Sequence, residues 1–336
     1  MRDTWIRIGK KCIRFLLLLF CTSIAAFALM KCSPVDPLQA NVGQTALGSM
    51  SAEQIEKLET YWGTNASPVQ QYLAWITDFL KGDMGTSLLY RQPVSQVIAV
   101  RLANSLPLLL FAWALSGLLG VMLGAVAGMR RGKWCDRLIR GYSLLISDTP
   151  AFWVAMLLLI VFGVWLGWFP IGMSVPIGMS VPIGVAASEV SLAERISHFV
   201  LPALTLSLTG TANITLHTRE KMIEVMDSDY MLFARAGGER GFRLFWRHGL
   251  RNILLPAITL QAASIGELIG GSVLVEQVFS YPGLGQAAVQ AGLGSDMPLL
   301  MAVTLICAAL AAAGNLTADI LYGLVDPRIR KGGAQR

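Results

Sequence analysis

The chain has 336 residues, 54% of them hydrophobic and only 14% charged, with a formal net charge of +6. Charge this far below the roughly 25% of soluble domains, with apolar residues gathered in runs near the ~20 residues of a bilayer span, excludes an ordinary soluble protein. The basic residues are spread over loops and form no basic-aromatic reading surface, so the positive charge reads as membrane topology, not nucleic-acid affinity.

Six spans are predicted in chain order, at about 13–30, 104–128, 139–163, 199–217, 252–277 and 297–323. Arg2, Arg7, Lys10, Lys11 and Arg14 precede the first. A cleaved signal peptide is the alternative there, but no A-x-A-like site follows and Lys31 before Cys32 spoils a lipoprotein-type site, so a retained anchor is expected. Residues 31–100 form an external, periplasmic segment. In it Ser51-Ala-Glu-Gln54 has capping-box spacing, and a second helix is expected over Val69–Lys81, after Pro68. No charge lies between Arg101 and Arg130, nor from Thr149 to Ser188, nor from Met297 to Ala318. Asp148, just before Pro150, interrupts the third span. The 40 residues from Thr149 to Ser188 exceed one span, and their second half carries a hexapeptide repeat, PIGMSV-PIGMSV-PIG, from Pro170 to Gly184. Proline and glycine at that density preclude a regular helix, so the repeat is assigned to an external loop that tolerates a duplication.

Basic loops stay cytoplasmic, and placing both termini inside puts 20 of the 27 lysines and arginines on that side. Six span-forming runs agree with that arrangement. The five cysteines (Cys12, Cys21, Cys32, Cys135, Cys307) are scattered and only Cys32 faces outward, so no internal disulfide is expected. His198, His217 and His248 lie far apart and there is no C-x-x-C, so no metal site and no cofactor is expected. Nor is there a nucleotide-binding P-loop: the nearest approach, Gly128-Met-Arg-Arg-Gly132-Lys133-Trp134, has the wrong spacing and no hydroxyl after the lysine.

The most polar stretch between spans is Asp227–Arg251, with eight charged residues and a histidine. Asp229–Ala236 is helix-prone and amphipathic, Gly237-Gly238 can end that helix, and Phe242–Arg247 alternates basic and apolar residues at helical spacing. Two readings are open from the residues: a segment lying at anionic headgroups, or one that docks a soluble partner.

The order Ala234-Arg-Ala236-x-Gly238, Arg247-His-x-Leu-Arg-Asn252, Leu255-Pro256 resembles the cytoplasmic coupling loop of binding-protein-dependent ABC importer permeases, and more specifically the dipeptide/oligopeptide/nickel permease family. Gly82-Asp-Met-Gly-Thr-Ser87 through Arg91-x-Pro93, Gly266-Glu-Leu-Ile-Gly-Gly271, Val275–Gly285 and Asp326-Pro-Arg-Ile-Arg330 extend the resemblance over nearly the whole chain. The sequence departs from the wider pattern at Leu232, where a glutamate usually opens the motif, and in the displaced Leu255-Pro256 pair. The resemblance implies a type I importer permease fold, all-α with six transmembrane helices. Its domain plan would be an N-terminal tail and anchor (1–30), the external segment (31–100), a permease core (101–326) with coupling loop 218–251, and a cytoplasmic tail (327–336). It implies a non-catalytic subunit that works with a second permease, two ATP-binding cassette ATPases and an external substrate-binding protein in the inner membrane. Ala234, Arg235, Ala236 and Gly238 would meet the ATPase, and the turn at Leu255-Pro256 would pass the push to spans five and six. The run Gly266–Gly271 leans toward the nickel branch, beside peptides as cargo.

Ionisable groups at membrane depth face a cavity or a partner. Glu267, beside Gly266, Gly270 and Gly271, is a candidate for the translocation path or for pairing in a tight helix interface. Glu276 is either a contact for cargo or binding protein or a solvated helix end. Asp148 and Asp319 read as structural, and Asn213 and Asn315 as helix-bridging. Two other function classes compete. An ion-coupled secondary transporter would show inverted repeats, and no matching halves are present. A membrane enzyme would need a His/Asp/Glu cluster or nucleophile elbow, and neither is found.

Overall fold

The structure, a computed structural model, describes residues 2–32, 50–51, 53–54, 67–171, 192–239 and 241–325. Among them the protein is all-α, with one isolated backbone bridge between Thr86 and Pro93. The hexapeptide repeat beyond Ile171 and the Asp326–Arg330 motif lie outside the described residues. The helices are α1 (Arg2–Lys31), α2 (Pro68–Leu80), α3 (Val94–Met129), α4 (Trp134–Ser147), α5 (Ala151–Leu158, continued by a π-helical stretch Leu159–Trp165), α6 (Leu192–Met226), α7 (Asp229–Ala236), α8 (Gly241–Leu244, continued by π-helical Phe245–Gly249), α9 (Leu250–Ala263), α10 (Ile265–Val278), α11 (Leu284–Leu293) and α12 (Met297–Val325).

Among the described residues, four stretches are long and apolar enough to cross a membrane as single helices: Ile13–Lys31, Val94–Met129, Arg195–Met226 and Met297–Ala318. Two helix pairs qualify as broken spans, α4 with α5 (bent by 110°) and Phe245–Ala263 with α10 (bent by 49°), bringing the total to six. The order matches the sequence expectation. The third span, expected as one straight helix over 139–163, is instead folded sharply between Asp148 and Pro150. Proline forces Thr149 out of the helical region, and Asp148 becomes the C-cap of α4. The second span starts at Val94, ten residues before the expected edge, because Arg101 is carried inside the helix with its own polar partners. Similarly, α6 continues past residue 217 to Met226, and Arg219 within it is neutralised.

The described residues fall into two compact units, with the boundary inside α3 and again inside α12. The first holds residues up to Ser105 and Pro282–Ala309. Here α1 meets α2 through Ser23 and Tyr72 (hydroxyls 2.7 Å apart) and through the Phe27 and Tyr72 rings (5.3 Å). The expected capping box at Ser51 and Gln54 is formed, and α2 has its own at Ser67 and Gln70. The Gly82–Pro93 segment is a tight reversal. Gly82 (φ +90°) and Gly85 (φ +77°) take left-handed conformations that favour glycine. The reversal is pinned to the start of α12 by Asp296, which is fully buried: it accepts from Ser87 Oγ at 2.5 Å and from the amides of Leu89 (3.0 Å) and Leu299 (3.2 Å). Arg101 donates to Gln286 Oε1 (2.9 Å) and to the Tyr90 hydroxyl (2.8 Å), which is how a cation is tolerated in α3.

The second unit holds Leu106–Ile171, residues 192 to Tyr281 and Leu310–Val325. Its centre is a seam between α3 and α6. Gly120, Gly124 and Gly128 recur along one face of α3. A Cβ added to them would sit 2.8 Å from Ile214 Cβ, 2.6 Å from Thr218 Cβ and 2.6 Å from Met222 Cβ. Bare backbone there lets two helices approach closely, the means by which membrane helices gain packing without a hydrophobic drive. Gly266, Gly270 and Gly271, expected from the sequence to allow such a contact, do not make one. A Cβ at Gly270 would meet nothing within 4 Å, and those at Gly266 and Gly271 would make only ordinary contacts. Along α6, α4 is fixed by Tyr142, whose hydroxyl donates to Leu208 O at 3.1 Å, and by Ser147, which donates to Asn213 Oδ1 at 3.2 Å. Asn213 thus bridges helices as expected. The Asp319 side chain lies outside the described ones.

Candidate coupling site

The polar stretch Asp227–Arg251 folds into α7, α8 and the π-helical turn behind them. Asp229 in the first turn of α7 and Arg235 in the last complement the helix dipole. Gly238, at φ +88°, ends the segment in the left-handed region. Glu239 then receives Arg247 Nη1 at 3.0 Å and lies 3.0 Å from His248 Nε2, tying the end of α7 to the turn before α9. Asn252 donates to the Tyr230 hydroxyl at 3.1 Å and so holds α7 against α9 as well.

The face that α7 turns inward is anchored by Met231, which is fully buried. It joins Met222 and Val225 of α6, Ala125 of α3, Leu244 of α8 and Ile253 of α9 in one apolar cluster, with Ala234 packed against it. An eight-residue helix is marginal alone, so this cluster is what holds it. The opposite face is bare: Leu232, Ala236 and Gly238 are exposed, and Phe233 is 82% exposed, while exposed Tyr230 and Arg235 flank it and reach Asn252 and Met226 of the chain itself. Contiguous apolar exposure rimmed by charge marks an interaction surface, and Leu232, where the wider family pattern has glutamate, belongs to it. Of the small residues expected to meet a partner, Ala236 and Gly238 face outward, whereas Ala234 is turned toward its own chain.

Leu255 and Pro256 do not form a turn. Both lie inside α9, and the break in this span comes eight residues later, at Ser264 between α9 and α10. Within membrane helices proline is tolerated where neighbours satisfy the freed backbone, which is why the Leu-Pro pair misled the reading. The segment meets α9 instead through the cluster that holds Met231 and Ile253 and through the Asn252–Tyr230 hydrogen bond.

Below this segment Asp136 and Arg219 form a two-pronged ion pair, Nε–Oδ1 at 2.5 Å and Nη2–Oδ2 at 2.9 Å, and Asp136 also accepts from the Gly132 amide at 2.8 Å. The pair locks the start of α4 to the C-terminal part of α6. Neither residue was singled out from the sequence, where the two stand 83 positions apart. Of the acidic candidates, Glu267 is exposed near the start of α10 and so is not paired within a helix interface of this chain. Glu276 is fully buried, not a solvated helix end. Close by is Tyr281, whose phenol is pushed up to about 12 by burial first and by the Glu276 carboxylate second.

Residues 120–331 match the family of binding-protein-dependent transport system inner membrane components. The chain belongs to this permease family. It is similar to the oligopeptide transport system permease protein AppB of Bacillus subtilis (strain 168), 38% identical over 308 residues, 91% of this chain and 93% of the relative. A putative peptide transport system permease of Brucella abortus (strain 2308) is 36% identical over 308 residues, 92% and 93% of the two chains. The di/tripeptide transport system permease protein DppB of Pseudomonas aeruginosa (strain UCBPP-PA14) is 32% identical over 321 residues, 93% and 94%. The all-α architecture with four to six spans is accordingly the type I ABC importer permease fold. As a permease component, the protein contributes the membrane path of a transport system.

Proposed function

We propose that this permease forms one half of the translocation path of an ATP-driven importer, carrying peptides handed over by an external binding protein, with a second permease subunit as the other half. Two separate ATPase subunits would supply the energy, one of them gripping α7 from the cytoplasm. The observation that supports this reading is the two-sidedness of α7: Met231 roots it in the chain's own core, while Leu232, Phe233 and Ala236 are exposed. Basic loops favour the cytoplasmic side for the segment.

In this mechanism, closure of the ATPase dimer displaces α7, and Met231 carries the displacement into α6, α3 and α9 together. Rigid packing makes such a push an all-or-none shift of helices around the path. Of the two acidic candidates, Glu267 is the better one for the path, since fully buried Glu276 meets cargo only after rearrangement. Peptides displace the earlier lean to nickel because the relatives that cover nine-tenths of the chain are named for peptides. Replacing Phe233→Asp tests the proposal. The expected result is a permease still inserted in the membrane from which the ATPase no longer co-purifies. Undiminished co-purification and peptide uptake would overturn it.

A further inference from the structure

A second feature has no place in the coupling scheme: a groove between the first turns of α4 and the end of α6. Arg131, Arg137, Arg140 and Arg219 line it, with Asp136 and Glu220 as its acidic members. Asp136 is consumed by Arg219, and Arg131 reaches Asp227 at 3.3 Å in a pair whose side chains are about two-thirds exposed. Exposed pairs of that kind are weak and give way to a stronger anion. Arg137 and Arg140 stand exposed, one helical turn apart on α4. The groove therefore keeps a cationic surplus that Glu220 does not cancel.

Its other lining side chains are apolar: Leu144 on α4 and Leu216 on α6, both on the Thr211 side of the ion pair, and Ile223 one turn beyond Arg219 at the other end. Moving along α4 from Arg137 to Leu144 follows α6 from the Arg219 level to the level of Thr211, whose hydroxyl is 3.1 Å from Tyr142, so the cationic end gives way to an apolar one at increasing membrane depth. Exposed Leu138 and Leu145 on the same helix extend the apolar surface. A diglyceride with an anionic headgroup has this polarity, phosphate at one end and acyl chain at the other. An acidic soluble protein would leave the apolar end uncovered.

We propose that this groove binds an anionic glycerophospholipid, with Arg137 and Arg140 holding the phosphate and Leu144 and Leu216 receiving the first methylenes of a chain. The lipid then clamps α4 to α6 beside the Asp136–Arg219 pair, at the base of the coupling segment. A cation near an anionic lipid surface is worth about fivefold in binding, so losing both arginines should weaken the site by roughly 25-fold.

The test is native mass spectrometry of the full chain, released from detergent with equal amounts of phosphatidylglycerol and phosphatidylethanolamine. Retained phosphatidylglycerol is expected to dominate in the parent protein and to fall by roughly 25-fold in Arg137→Gln/Arg140→Gln. It should stay near the parent level in Arg137→Lys/Arg140→Lys, which keeps the charge, and in Lys81→Gln/Arg91→Gln, which removes two cations elsewhere. Equal retention of the two lipids by the parent, or parental retention by the double glutamine variant, would overturn the proposal. So would displacement of the lipid by millimolar inorganic phosphate, which would mark a site for free phosphate, or protection of both arginines only when the ATPase is bound. If the glutamine variant fails to purify as a monodisperse protein, the lysine variant and the parental lipid preference decide the matter.

Discussion

Met231 roots α7 in the apolar cluster beneath it, and its truncation gives the sharpest prediction. Met231→Ala removes three side-chain heavy atoms from a site with no solvent exposure, inside a cluster fed by α3, α6, α8 and α9. Such truncations cost about 2–5 kcal/mol in well-packed cores. Other ties between α7 and its surroundings include the Asn252–Tyr230 hydrogen bond and the Glu239 pairs, which are partly exposed and contribute far less. The helix itself is too short to persist undocked. The loss should therefore appear as local opening of residues 229–236 and not as global unfolding. At about 1.4 kcal/mol per factor of ten, their amide hydrogen exchange should quicken at least roughly 30-fold, while exchange in the α3–α6 seam stays unchanged. Met231→Leu conserves volume and should stay close to the parent. Parental exchange across α7 in Met231→Ala would refute the idea that this side chain anchors the helix.

Further predictions concern the seam, the ion pair and buried Asp296. Gly124→Ala should lower thermal stability by about 1–3 kcal/mol, because its Cβ would fall 2.7 Å from Thr215 O as well as on Thr218. Gly141→Ala, whose Cβ would meet nothing within 4 Å, should be neutral or slightly stabilising in the same melting assay. Asp136→Ala should cost about 3–5 kcal/mol by stranding Arg219, and Asp136→Leu/Arg219→Met should recover most of it in a double-mutant cycle. Burial holds the Asp296 carboxyl above the ordinary carboxylate range against the hydrogen bonds from Ser87, Leu89 and Leu299. A raised folded-state value means the folded form prefers the protonated acid. Stability from this group is thus complete below the unfolded value of about 3.9 and is lost as pH rises through the folded one. Asp296→Asn does not titrate, so its melting temperature relative to the parent should climb with pH over that window; a pH-independent difference would show that burial does not govern the site.

The hydropathy pattern carried the number and order of the spans because bilayer thickness imposes length and apolarity directly on the sequence. It misplaced their ends at Arg101 and Arg219, since a charge reads as a boundary until its partner is known, and Gln286 and Asp136 are remote in sequence. Likewise it gave the bend at Asp148–Pro150 only as an interruption, because a composition window has no direction. Gly120, Gly124 and Gly128 on α3 were not singled out, because glycines four apart mean little until their partner face on α6 is known, and the sequence pointed to Gly266–Gly271 instead. At the coupling site the amphipathic run Asp229–Ala236 and its glycine end were legible in outline. Which face would be rooted was not: Ala234 turned inward and Phe233 outward because Met231 found a cluster assembled from four other helices. Leu255-Pro256 looked like a turn only by the rules of soluble helices.

The account rests on α7 being the surface that an ATPase grips from the cytoplasm. Phe233→Cys, in a chain whose native cysteines are replaced, can be challenged with a membrane-impermeant maleimide in intact cells and in inside-out vesicles, with and without the ATPase subunits. The account predicts no labelling in intact cells, labelling in vesicles lacking the ATPase, and protection when it is present. Labelling from the outside of intact cells, or labelling in vesicles unaffected by the ATPase, would contradict it.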